Sequence, residues 1–198
     1  MKTKFRVVIT GLFMLLVGNA SATLIDFEDL AGDQSAVNDG YEGFTWNTGV
    51  GLLNSLNGTT YSIPSGYNVL ADALDGDIVL FNGYGNSPVD VALVGAGTFE
   101  LNSLWVTSAW DATLNMTFTG FLDGVEVYSQ SFVATNTLAQ QVTFDWSGID
   151  RLRINDSGQH FVMDNMVINA GFEEVPEPAS IAILALGLFG LASRRFKK

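Results

Sequence analysis

The sequence contains no cysteine, only four prolines and a single histidine among 198 residues. Without cysteine there is no disulfide framework, no thiol nucleophile and no thiolate metal site. A body of roughly 150 residues is large enough to bury a core without such staples. The lone histidine, His160, stands beside Gln159 at the start of an apolar run, which suits a packed or surface residue better than a general base. No G-x-S-x-G elbow accompanies it, so Ser-His-Asp chemistry lacks its frame. No glycine-rich phosphate loop is present either.

Positive charge is the scarcest resource. Of nine lysines and arginines, Lys2, Lys4 and Arg6 lie at one end and Arg194, Arg195, Lys197 and Lys198 at the other. Residues 23–172 keep only Arg151 and Arg153, with no lysine, against eighteen aspartates and glutamates, a net charge of −16 where the whole chain shows −12. Such a surface repels nucleic acid and anionic lipid, so no nucleic-acid partner is expected. It also repels acidic polysaccharide unless a cation bridges the two. Neutral glycans are the easier partner.

Both ends read as addresses. Residues 1–22 carry a basic start, an apolar stretch from Val7 to Val17 and the triplet Ala20-Ser21-Ala22. That is a secretory signal peptide read by the Sec translocon and signal peptidase, with cleavage after Ala22. At the other end a linker, 173–178, holds Val175-Pro176-Glu177-Pro178. Its prolines forbid helix and favour an extended, accessible segment. An uncharged run follows, read as a single transmembrane helix over 179–193, and then the basic tail 194–198. The run Ala179 to Ala192 would be about 21 Å long as a helix, short against a hydrocarbon core of about 30 Å. That length suits a temporary stop in the membrane. The arginines and lysines place the tail in the cytoplasm and the body outside.

Val175-Pro-Glu-Pro178, the apolar helix and the Arg194-Arg195 pair, in that order, resemble the PEP-CTERM sorting signal of Gram-negative bacteria that make exopolysaccharide. The resemblance implies recognition by an exosortase, cutting near the Pro-Glu-Pro motif, and a route from the inner membrane to the envelope, outer surface or matrix. The same tail is also described as an ice-binding-protein C-terminal domain, which is no evidence of ice binding.

The remaining segment, 23–172, reads as about ten short strands separated by polar turns. The clearest unit is Ala112 to Ala134, where Leu114, Met116, Phe118 and Leu122 recur at period two, Asp123-Gly124 offers a type I′ turn, and Val125 to Val133 returns. Phe99 to Thr107 predicts a longer strand, bulged near Asn102-Ser103. No stretch shows sustained helical periodicity. The fold class is therefore all-β, an antiparallel jelly-roll-like β-sandwich in one domain. The strand order, ending in Phe161-Val-Met-Asp-Asn-Met-Val-Ile168, resembles the galactose-binding-like modules of carbohydrate-binding proteins, in which an early acidic strand lies beside a late Asp-Asn strand.

Three groups of residues carry candidate chemistry. Asp26, Glu28 and Asp164 are the first. Asp164 lies in a run apolar on both faces and needs a partner once buried. Structural Ca²⁺, held by oxygen ligands, is one; Arg151, Arg153 or backbone amides are the others. Asp72 to Asp77 is acidic but lacks the order of an EF-hand loop, and reads as a turn before Ile78. The third group is Tyr41, Tyr61, Tyr67, Tyr84 and Trp110, aromatics outside obvious strands. Tyr84 sits between Asn82 and Asn86, so ring and amides could stack on and bond a sugar; the alternative is that these rings cap the core. No two carboxylates are paired by spacing in a way that marks a glycosidase. The expectation is an exported, non-catalytic module that binds or organises extracellular polysaccharide. The alternatives are a structural biofilm protein without a small ligand and a glycan-active enzyme.

Overall fold

The computed structural model describes residues 22–48, 51–61, 64–74 and 76–169. Ala20, Val175, Pro176, Glu177, Pro178, Arg194 and Arg195 lie outside them, as do the linker, the transmembrane run and all of the signal peptide except Ala22. Among the described residues no helix is long and apolar enough to cross a membrane.

Twelve strands among the described residues form two antiparallel sheets. The larger has seven strands: β10 (Gln140–Ile149), β7 (Phe99–Ser108), β12 (Phe161–Ile168), β5 (Ile78–Asn82), β4 (Leu53–Asn57) and β2 (Asp33–Ala36) in that order, with β1 (Thr23–Ile25) also on β12. The smaller runs β3 (Phe44–Thr48), β6 (Val89–Leu93), β11 (Arg151–Asn155), β8 (Leu114–Leu122), β9 (Val125–Ala134). Every strand pair is antiparallel.

Alternation decides which side chains meet. Leu114, Met116 and Phe118 of β8 point between the sheets and are almost fully buried, and Leu101, Met163 and Met166 meet them from the larger sheet. The β8–β9 hairpin turns at Asp123 (φ 50°) and Gly124 (φ 79°), the paired positive φ values of a type I′ turn. The expected irregularity of β7 is also present. Ser103 pairs with Val167 and Leu101 with Ile168, leaving Asn102 as an extra residue against β12.

One element departs from the sequence reading. Residues Gly66–Leu74 form a helix, α1, lying on the outer face of the seven-stranded sheet. Its signal was Tyr67, Leu70, Ala71 and Leu74 at helical spacing, after Ser65, whose hydroxyl accepts from the Asn68 amide at 3.5 Å. Nine residues surrounded by turn signals hid that period. The helix starts hard against the end of β7: the Gly66 amide donates to the Ala109 carbonyl at 2.8 Å and its carbonyl accepts from the Thr107 hydroxyl at 2.9 Å. A side chain at 66 would overlap the Ser108 carbonyl, so only glycine permits this approach. The consequence is a second apolar cluster outside the sandwich, joining Tyr67, Leu70 and Ala71 to Leu56, Val79, Phe81 and Val162.

The ends of the body lie together. Thr23 pairs with Ile168 and Leu24 with Val167, so the early strand flanks the late Asp-Asn strand.

Candidate functional site: an aromatic cleft beside helix α1

A cleft of about 340 Å³ opens on the outer face of the larger sheet, next to the start of α1. That volume lies at the lower end of the roughly 300–1,000 Å³ usual for small-molecule sites. Its floor is Leu56 of β4 and Phe81 of β5, which project outward while Leu53 and Leu80 point into the core. One wall is aromatic. Tyr61 and Tyr67 have ring centroids 4.7 Å apart at 39°, and Trp110 meets them at 5.5 Å and 5.4 Å, tilted by 51° and 66°. The clamp at Gly66 sets this wall, because it brings Tyr67 to the segment after β7 that carries Trp110. Burial pushes the Tyr67 phenol well above its ordinary range, with Tyr61 adding to it, so the hydroxyl stays protonated.

The rest of the lining comes from Gln34, Asn54, Gly83, Tyr84 and His160. Tyr84, 87 % exposed, stands on a tight turn, Gly83–Gly85, in the left-handed conformation (φ 58°). Trp110 is 46 % exposed. None of the described lining residues is charged. The two arginines lie on the outer face of the other sheet, where Arg153 grips Asp90 through Nε at 2.7 Å and Nη2 at 2.8 Å and Arg151 adds Nη1 at 3.0 Å. Both guanidiniums lie over Phe121, at 4.2 Å and 5.3 Å from the ring centre.

The structure sorts the sequence candidates. Tyr84 and Trp110 line the cleft together with Tyr61 and Tyr67. Tyr41 packs elsewhere, against Phe27 and Trp46, and its hydroxyl donates to Asp29 at 2.6 Å. Asn82 does not face the cleft. It is fully buried, and its amide nitrogen donates to Asp156 at 2.7 Å, to the Gln159 carbonyl at 2.6 Å and to the Asn86 carbonyl at 3.2 Å. Its carbonyl accepts from the Phe161 amide at 2.9 Å. Asn86 enters this network through its backbone. Nothing in the sequence marks Gln34, Asn54, Phe81 and His160 as ligand-facing, because local pattern does not show which face of a sheet a helix will border.

The acidic trio is only partly joined. Asp164 is 1 % exposed, opposite Trp105 of β7, where the other neighbour of β12 changes from β5 to β1. Its partner is neither arginine. Its Oδ1 accepts from the Asn165 amide at 2.6 Å. Burial drives its carboxyl up to about 8, and the negative charges of Glu28 and Asp26 push the same way. Glu28 is already occupied, accepting from the amides of Asp77 and Ile78 at 3.1 Å each. Among the described residues no three acidic or histidine side chains gather as a metal site. Asp72 belongs to the last turn of α1, and Asp77 follows it.

Residues 174–198 match the PEP-CTERM protein-sorting motif, which marks the chain as exported and as a substrate for exosortase processing. No curated protein matches the sequence. Among solved structures, the chain is similar to the CBM22-1–GH10 modules of the Clostridium thermocellum endo-1,4-beta-D-xylanase 10B in complex with xylohexaose. The identity is 12 %, the match covers 71 % of this chain and 28 % of that one, and the TM-score is 0.44. An arabinose-bound α-L-arabinofuranosidase matches at 9 % identity over 76 % of this chain and 26 % of its own, with a TM-score of 0.46. The chain thus spans about a quarter of the length of either protein. A family 29 carbohydrate-binding module matches at 14 % identity over 77 % of this chain and 94 % of its own, with a TM-score of 0.37. These likenesses assign neither a ligand nor a functional residue.

Proposed function

We propose that this protein is an exported, non-catalytic carbohydrate-binding module that seats extracellular polysaccharide in the cleft beside α1. The observation that carries this reading is one cleft lined both by three clustered rings, Tyr61, Tyr67 and Trp110, and by amide, phenol and imidazole side chains. Sugar rings offer apolar C–H faces to aromatic side chains and hydroxyls to polar ones, so both halves of the cleft have a use. Glycoside hydrolysis needs two carboxyl groups flanking the bond, and none belongs to the described lining. Position supports the reading too. The cleft lies at the start of β12, whereas the chain leaves toward the sorting tail from its end, roughly 23 Å away along the strand. A polymer could therefore be held while the tail is still in the membrane. The role that follows is attachment to, or organisation of, the matrix of a Gram-negative cell surface.

Trp110→Ala is the direct test. Truncating the most exposed ring of the wall is expected to cost about 2 kcal/mol, or roughly 30-fold in Kd for a bound glycan. The melting temperature should fall by only a few degrees, because about half of that residue is already in water. A glycan array followed by titration calorimetry on the mature protein reads both. Absence of binding to any glycan, or undiminished binding by the variant, overturns the proposal. Release of reducing sugar from a bound polysaccharide overturns its non-catalytic part.

A further inference from the structure

The sheet ends differ in how they are closed. An edge strand exposes unpaired amides and carbonyls, and proteins guard such edges with short strands, bulges, proline or lysine. Among the described residues β2 has four residues and β3 has five, each with a break in register. The edge of β10 is broken twice, with Asp145 (φ 49°) and Gly148 (φ 70°) in the left-handed region. Strand β9 is unguarded. It runs for ten residues along the outside of the smaller sheet, and from Tyr128 to Ala134 it follows β8 without a break. It holds no proline, glycine or basic residue, and Glu126 is its one charge. Its outer edge pairs with no described strand, and Val125, Val127 and Val133 are exposed.

The strand also reads nearly the same in both directions. About Gln130, Ser129 mirrors Ser131, Tyr128 mirrors Phe132 and Val127 mirrors Val133. Two copies laid antiparallel, with a two-fold axis at Gln130, therefore set like against like. Directly opposed residues point to the same face of a sheet. Tyr128, stacked on Trp146 at 5.3 Å, would meet Phe132 on the inner face, where both are half-buried against the core. Ser129 and Ser131 would meet on the outer face. Aromatic pairs and hydroxyl pairs opposed in this way stabilise a ladder. A slip of two positions either way sets an aromatic ring against Gln130, so the pattern specifies one register. That register also keeps charge apart. Glu126 falls opposite Ala134, and the two copies of Glu126 stand about 26 Å apart along the strand.

We infer that β9 is a self-association surface, on which a second copy of this chain adds its own β9 antiparallel and in register about Gln130. The two five-stranded sheets then become one of ten strands. Such a contact is isologous, so it closes at a dimer. It is one strand wide, so association is weak and dilution reverses it. Two bodies of net charge −16 repel each other, and salt screens that repulsion. None of the described lining of the aromatic cleft comes from β9, so each dimer carries two clefts.

The chain has no cysteine, so introduced cysteines report the register without background. Opposed residues of an antiparallel pair have Cα atoms about 4.5–5.5 Å apart, within disulfide reach. In the mature protein in detergent solution, Gln130→Cys should cross-link to itself on mild oxidation. Ser129→Cys mixed with Ser131→Cys should cross-link across the two proteins. Either alone should do so much less, because each is offset from its own copy by two residues. Sedimentation equilibrium should show monomer and dimer, with more dimer as salt rises. Ser129→Lys combined with Ser131→Lys sets lysine opposite lysine twice at exposed positions. It should weaken association about tenfold or more, although it lowers the net negative charge, and should leave the melting temperature nearly unchanged. A monomer at every salt concentration overturns the inference and leaves the edge to a strand of another protein. So does a self-cross-link of Ser129→Cys as strong as the mixed one, a dimer that weakens as salt rises, or a dimer that survives the double lysine variant.

Discussion

Asp164→Asn should stabilise the protein at neutral pH and remove much of its pH dependence. The aspartate is buried on β12, its folded-state carboxyl is pushed up to about 8, and the cause is first of all the loss of water, with the charges of Glu28 and Asp26 adding to it. A folded-state value above the unfolded one means that the native state holds the proton more tightly. The contribution is therefore fully present below about pH 4 and is lost as pH rises toward 8. Over pH 4 to 7 the loss is at most about 4 kcal/mol, at 1.36 kcal/mol per unit. Asparagine cannot ionise, and its oxygen can still accept from the Asn165 amide. The variant should melt roughly 10 °C above the parent at pH 7 and at nearly the same temperature at pH 4. Equal pH profiles for the two proteins would show that Asp164 is not the buried acid described here. The same melts read the calcium expectation. A Ca²⁺-dependent rise that EDTA reverses and Asp164→Asn abolishes would place a cation at this carboxylate, which would then stay ionised and invert the order of stabilities.

Asn82→Ala should be the most damaging conservative truncation near the cleft, and it should act on stability. The side chain ties β5 to the 156–159 turn and to the start of β12, with Asp156, Gln159, Asn86 and Phe161 as partners. Alanine leaves the carboxylate of Asp156, which is fully buried and whose pKa is already raised by burial, without one of its donors. It also strands the Phe161 amide. Abandoned buried groups cost about 1–3 kcal/mol each, so a loss of about 3–5 kcal/mol is expected, visible as a fall of roughly 10 °C or more in Tm. Trp110→Ala supplies the contrast, losing ligand and keeping fold. An Asn82→Ala protein that melts like the parent but no longer binds glycan would return Asn82 to the ligand site and move the proposed contact surface.

Neighbours in one loop show what a sequence reveals of a site and what it hides. Asn82 and Tyr84 share one short segment, Asn82-Gly-Tyr-Gly-Asn86, and look equally suited to a sugar. Alternation sends Phe81 out to the cleft and Asn82 in toward Asp156, but β5 is buried on both faces. A strand without a polar face gives no hint of which side holds the ligand. The helix that makes the outer face a site was equally hard to see, since its nine residues repeat the apolar period only twice.

The sequence alone determined what depends on neighbours in the chain. The sorting motif at 174–198, the type I′ hairpin at Asp123-Gly124, the β class and the acidic body all rest on local pattern or composition. Tertiary structure decided what depends on segments far apart meeting. The cleft gathers Gln34, Asn54, Tyr61, Tyr67, Phe81, Tyr84, Trp110 and His160, drawn from positions more than 120 residues apart. The order of strands in the larger sheet and the backbone contact of Gly66 with β7 bring them together. Spacing cannot encode that order, because which strands pair is settled by the burial of both sheet faces at once.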